Sequence, residues 1–268
     1  MLLGMLLYAI LNGNFSAAWD FLFAVDFSSL TWRAVLEPMG LAFFTLSLGM
    51  GSIMAYGAYM PADASIGKTV LIVALFDSLV AIIAGLVIFS IVFSTTGIEP
   101  SAGPGLMFIS LPVAFGNMPG GLLIGVVFFI LVAIAAWSSA ISLLEPAVAW
   151  LMEAKHIGRI TANVVLASLA WALGLGTVFS FNIAADMTVA GFTFFDALDF
   201  LTANIMLPLG GLGIALFVGF VMKRELVSGQ MSEMNGTAMG MWRLALCYLA
   251  PVAIASIFVM GIYDKFFL

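Results

Sequence analysis

The sequence predicts an all-α, polytopic transmembrane helix bundle, and three observations carry that prediction. First, 64% of the 268 residues are apolar and only 8% are charged, against about 45–50% and about 25% in an ordinary soluble domain. So few charges cannot cover the surface of a soluble fold of this length. A soluble enzyme, a nucleic-acid binder and a disordered tail are excluded on that ground. Second, the apolar residues form continuous runs rather than the alternating pattern of barrel strands. Third, the scarce cations segregate between alternate loops, as they do in membrane proteins.

The elements follow in chain order as a single transmembrane domain over residues 1–268. Residues 2–11 are apolar but cover only about half the length a span needs. They lack the basic start and small-residue cleavage site of a signal peptide, and the polar face of an interfacial helix. They read as a partial helix, the last turns of one whose beginning is missing. Six runs have spanning length: about 38–59, 69–94, 120–152, 160–181, 197–222 and 242–263. The connections at 60–68 and 153–159 are short, so the helices they join are antiparallel neighbours. Six cations (Lys68, Lys155, Arg159, Lys223, Arg224 and Arg243) fall on one side of this topology, and two (Arg33 and Lys265) on the other. The asymmetry places the first group in the cytoplasm and the C-terminus outside, in a cell inner (plasma) membrane. The outer loops are then 13–37, 95–119 and 182–196, which carry mainly acids: Asp20, Asp26, Glu99 and Asp186.

The net charge of −6 gives no basic footprint for nucleic acid. Cys247 is the only cysteine, so there is no disulfide framework and no cysteine metal site. His156 sits beside Lys155 in a polar loop and reads as solvated.

Three polar clusters lie inside the spans, where each hydroxyl or carboxylate needs an internal partner or a wet cavity. Phe44-Thr45-Leu46-Ser47-Leu48-Gly49-Met50-Gly51-Ser52 sets two glycines among hydroxyls. Such a stretch either interrupts a helix, freeing backbone groups for ions and a ligand, or packs closely through small residues. Ala135, Ser138, Ser139, Ser142 and Glu145 share one helix face. Their oxygens suit a hard cation such as Na⁺, although serines also bond back to their own helix. Asp77 is either an ion ligand pointing into the bundle or an interfacial residue near Lys68.

Together these stretches resemble the neurotransmitter:sodium symporter family, in particular its bacterial, eleven-helix, LeuT-like members. Phe43 to Gly51 is similar to the family's unwound sixth helix, and Asp77-Ser78 with Ala84 to Phe89 to its seventh. Gly105 to Pro112 resembles the outer hairpin before the eighth helix, and Trp137 to Pro146 the eighth itself. Asp199-Phe200 and Leu207 to Leu212 resemble the tenth. The resemblance implies the second inverted repeat of a LeuT-like fold, a partial helix before it and one helix after it.

By the same resemblance, Thr45 and Asp77 belong to a first sodium site, and the Ala135 carbonyl with the Ser138 and Ser139 hydroxyls to a second. Phe44, Ser47, Gly49, Met50, Gly51, Ala140 and Leu143 line the substrate pocket. Asp199 is the acidic half of an outer gate, and Tyr59, Glu145 and Glu153 belong to an inner one. The expected function is sodium-driven symport of an amino acid or similar small zwitterion, with Na⁺ as the coupling ion, no other cofactor and no enzymatic chemistry. The apolar Met50, Ala140 and Leu143 point to a hydrophobic or aromatic substrate. The family's first four helices are absent from this chain and would be needed in cis or as a separate chain. Without them Asp77 and Glu145 are expected to lack partners. The alternatives are an inactive fragment and a non-transporting or channel-like membrane subunit.

Overall fold

The structure is a computed structural model that describes every residue except 25–26, 28–29, 62–63, 96–102, 232–233 and 268. Asp26 and Glu99 therefore lie outside the described residues. The described chain is almost wholly helical. In order come α1 (Leu2–Asn12), α2 (Phe15–Phe23), α3 (Trp32–Thr45), α4 (Ser52–Ala58), α5 (Ile66–Val92) and α6 (Leu106–Asn117). Then follow α7 (Gly121–Lys155), α8 (Arg159–Phe179), α9 (Phe194–Val221), α10 (Arg224–Gln230) and α11 (Gly236–Tyr263). Five of these (α5, α7, α8, α9 and α11) are long and apolar enough to cross a membrane.

The run at 38–59 is two helices, α3 and α4, separated at residues 46–51, the interruption that the glycines allowed and the resemblance implied. The stretches 13–37 and 95–119, read as loops, contain α2 and α6. Both helices are shorter than a span, and a length criterion passes over them.

Three helices widen into a π turn at the same place relative to a proline. Residues 106–110, 200–206 and 245–249 form π turns two positions before Pro112, Pro208 and Pro251. A proline has no N–H for the preceding turn and its ring crowds the carbonyl there. The turn relaxes to bonds five residues apart, as from the Leu207 N–H to the Thr202 carbonyl.

The chain forms two compact units, Met1–Leu30 with Leu71–Ser139, and Thr31–Val70 with Ala140–Leu268. In the first, Met5 and Ala9 of α1 are buried with Val87 and Ile91 of α5, Leu111 and Phe115 of α6, and Phe128 of α7. The axis turns by 111° between α1 and α2. At that bend the Asn14 N–H donates to the Ser90 carbonyl at 2.9 Å. A Cβ on Gly13 would lie 2.8 Å from the same oxygen, so the approach requires glycine. The Tyr8 hydroxyl donates to the Pro119 carbonyl at 2.7 Å. Tyr8→Phe should cost about 1 kcal/mol, read as a lower melting temperature in detergent; an unchanged melt would remove that bond from the unit's stability.

In the second unit, α7 and α8 meet at a short turn where the exposed His156 takes φ +52°. Leu207 and Ala215 of α9 and Ile254 of α11 are buried there. Elsewhere large apolar side chains face outward. Leu71 is 73% exposed, Leu122 84% and Trp137 72%. Hydrocarbon or further helices, rather than water, suit such faces.

Candidate functional site

The break between α3 and α4 is built by an alternation of backbone handedness. Ser47, Gly49 and Gly51 take φ of +53°, +82° and +86°, a region that costs any residue with a Cβ. The turn closes with the Ser47 and Leu48 N–H groups donating to the Phe44 and Phe43 carbonyls at 3.0 and 2.9 Å. Beyond that, the N–H groups of residues 49–51 donate no hydrogen bond and the carbonyls of residues 45–50 accept none among the described residues. Free backbone groups at this density are costly in hydrocarbon and suit an ion or a polar ligand. The stretch interrupts the helix, and the close packing through small residues that the sequence also allowed is present with it, between Gly49 and Gly210.

The break is held from behind by α9. A Cβ on Gly49 would lie 2.5 Å from the Leu207 carbonyl, and one on Gly210 would lie 2.4 Å from the Gly49 carbonyl. Two glycines therefore face each other across the contact. Gly51 and Ser52 are buried, Ser47 and Met50 half-buried, and Phe44 and Thr45 exposed. The Ser52 hydroxyl has no hydrogen-bond partner among the described residues. The Thr45 hydroxyl leans back on the Ala42 carbonyl at 3.4 Å, which leaves its lone pairs outward.

Below the break, α4 and α7 join through a ladder of side chains. Tyr56 and Tyr59, one helical turn apart, reach Ser142 and Glu145, also one turn apart. The Tyr56 and Ser142 hydroxyls hydrogen-bond. The Tyr59 hydroxyl donates to Glu145 Oε1 at 2.9 Å. Arg159 Nη2 donates to both Glu145 oxygens, at 2.8 and 2.7 Å. The Glu145 side chain is only 17% exposed and Arg159 is 55% exposed. The expectation that Glu145 lacks a partner is thus overturned, because the start of α8 supplies the cation. Glu153 is exposed and makes no ion pair among the described residues.

On α7 the Ser138 hydroxyl donates to the Ala135 carbonyl at 2.9 Å, the bond back to its own helix that the sequence also allowed. Ser139, Ala140 and Leu143 are exposed on the same helix. Asp77 is half-buried on α5 in the first unit. Its pairing with Thr45, in the second unit, rests on the resemblance alone. Along α3, from Glu37 to Phe44 beside the break, Asp199 lines an open groove of about 550 Å³ with Asn204 and Leu207.

The sodium:neurotransmitter symporter family model matches residues 1–266. This chain belongs to that family. It is similar to an uncharacterised sodium-dependent transporter of Haemophilus influenzae, 33% identical over 89% of this chain and 52% of the relative. A second relative, the uncharacterised sodium-dependent transporter YhdH of Bacillus subtilis, is 32% identical over 92% of this chain and 55% of its own. The crystal structure of MhsT in complex with L-phenylalanine superposes with a TM-score of 0.86 at 37% identity, covering 97% of this chain and 59% of MhsT. The chain thus spans about half the length of the curated relatives it matches, and the fold is a partial LeuT-type helical membrane bundle.

For this symporter-family chain, the residues that the sequence reading missed are those that only packing reveals. Arg159 counted solely toward topology, and Tyr56 was not singled out. A tyrosine pair at helical spacing opposite a serine and a glutamate at the same spacing is the signal that could have found the ladder.

Proposed function

We propose that this protein serves sodium-coupled symport of an amino acid or similar small zwitterion with a hydrophobic or aromatic side chain. The observation that carries the reading is the break at 46–51, whose unbonded carbonyl and N–H groups can replace water around a cation and a substrate together. Thr45 and Asp77 serve the first sodium site, and the Ala135 carbonyl with Ser138 and Ser139 the second. Phe44, Ser47, Gly49, Met50, Gly51, Ala140 and Leu143 line the pocket. The sodium-dependent relatives and the phenylalanine held by MhsT support this assignment.

Asp199 belongs to the outer gate, and Tyr59, Glu145 and Glu153 to the inner. Sodium stabilises the outward-open bundle, substrate occupancy permits rocking, and release of the inner contacts lets both leave. The coupling is differential binding to two states. The distribution of Lys and Arg supports a plasma-membrane orientation with the C-terminus outside.

Membrane vesicles from cells carrying this protein should take up labelled phenylalanine roughly fivefold or more faster in Na⁺ than in K⁺, the lower end of ordinary coupling energies. Equal rates for every amino acid tested would overturn the reading. Ser139→Ala should abolish most of the Na⁺ dependence; a variant that keeps all of it removes Ser139 from the second site.

A further inference from the structure

We propose that the cleft formed by the end of α9, α10 and the start of α11 binds the headgroup of an anionic phospholipid. The cleft has a volume of about 220 Å³, and its lining includes Val218, Met222, Arg224, Trp242, Arg243 and Leu246. It holds two guanidinium groups, and neither Arg224 nor Arg243 pairs with a carboxylate among the described residues. Glu225, next to Arg224, is not part of the lining. Arg159, by contrast, is neutralised by Glu145 at 2.7 Å. Lys68, Lys155 and Lys223 are exposed cations outside the lining of this cleft.

Arg243 is partly preset for its task. Its Nη2 donates to the Gly219 carbonyl at 3.4 Å, which tethers one end of the guanidinium while its other N–H groups remain for an anion. The Cys247 thiol also approaches that carbonyl, at 3.6 Å. A Cβ on Gly219 would lie 3.0 Å from the Cys247 sulfur, so α9 and α11 pack closely beside Arg243.

The remaining walls decide which anion fits. Val218, Met222 and Leu246 are apolar and lie next to exposed apolar residues of the same helices, Phe220, Val221 and Leu249. A free phosphate would use the two charges and gain nothing from these walls. A phospholipid uses both, with its phosphate on the arginines and its chain along the span. Trp242 is the residue type that settles at the headgroup level. Both arginines lie on the cation-rich side of the topology, where the charge rule puts the cytoplasmic leaflet with its anionic lipids.

The test uses the full chain in phosphatidylcholine nanodiscs with and without phosphatidylglycerol, with bound lipid counted by native mass spectrometry. Phosphatidylglycerol should be retained in preference to phosphatidylcholine. Arg224→Ala with Arg243→Gln should weaken its retention roughly 30-fold, since each interfacial cation contributes about fivefold. Arg224 is exposed, so Arg224→Ala alone keeps the fold intact and should weaken retention about fivefold. Lys68→Ala, which removes a cation from the same side outside the cleft, should change nothing. Equal losses in Lys68→Ala and Arg224→Ala would overturn the site in favour of a diffuse surface charge. Displacement of the lipid by inorganic phosphate would overturn it in favour of a soluble anion.

Discussion

Gly49→Ala is expected to prevent the second unit from assembling. The added methyl would sit 2.5 Å from the Leu207 carbonyl oxygen and 2.8 Å from the Gly211 nitrogen. Both are backbone atoms and cannot swing away as a side chain could. The φ of +82° adds about 1–2 kcal/mol for any residue with a Cβ. Strain and overlap together should exceed about 4 kcal/mol, a loss that few single substitutions reach. Gly51→Ala is the informative comparison. Its φ of +86° carries the same strain, but its methyl would meet only side-chain atoms, those of Pro146 at 3.3 Å and Met54 at 3.6 Å. That variant should fold with a loss of about 1–2 kcal/mol. The measurement is the melting temperature in detergent, because loss of transport alone would not separate misfolding from a lost substrate contact. Equal melting temperatures for the two variants would show that α9 does not hold the break.

What the sequence discloses here, and what it hides, follows from the range of each interaction. The helical class is written in composition and run length, and the break at 46–51 in the alternation of Ser47, Gly49 and Gly51, because these are local properties. The reason the break is rigid is not local. It depends on Gly210, more than a hundred and fifty residues away, coming close enough that neither glycine tolerates a side chain. The π turns lie between: Pro112, Pro208 and Pro251 mark them, but a proline alone does not say whether a helix kinks, ends or widens. The partner of Glu145 is the least legible feature. In a symmetric hairpin about residues 156–158, Arg159 would face Lys155, some ten residues or about 15 Å along α7 from Glu145. Its actual reach back to Glu145 depends on how α8 leaves the turn, which only packing decides.

That pairing makes an asymmetric prediction. Arg159→Ala should be far more damaging than Glu145→Gln, although both break the same ion pair. Removing Arg159 leaves a carboxylate that is only 17% exposed, held by the Tyr59 hydroxyl alone. A buried charge without its counterion is costly, and more so near hydrocarbon. Glu145→Gln instead leaves a neutral amide that still accepts from Tyr59 at 2.9 Å in the native geometry. Arg159, 55% exposed, then returns to water at little cost. Arg159→Ala should therefore lower both the yield of folded protein and sodium-dependent uptake by at least roughly tenfold, and Glu145→Gln by only a few-fold. The double variant should recover most of what Arg159→Ala loses, because the orphaned charge is gone. Such recovery is the signature of an ion pair whose buried member needs the cation, since two independent structural roles would give losses that add. If the double variant is as poor as Arg159→Ala, Arg159 acts on α8 by some route other than Glu145, and the ladder from α4 ends at Tyr59.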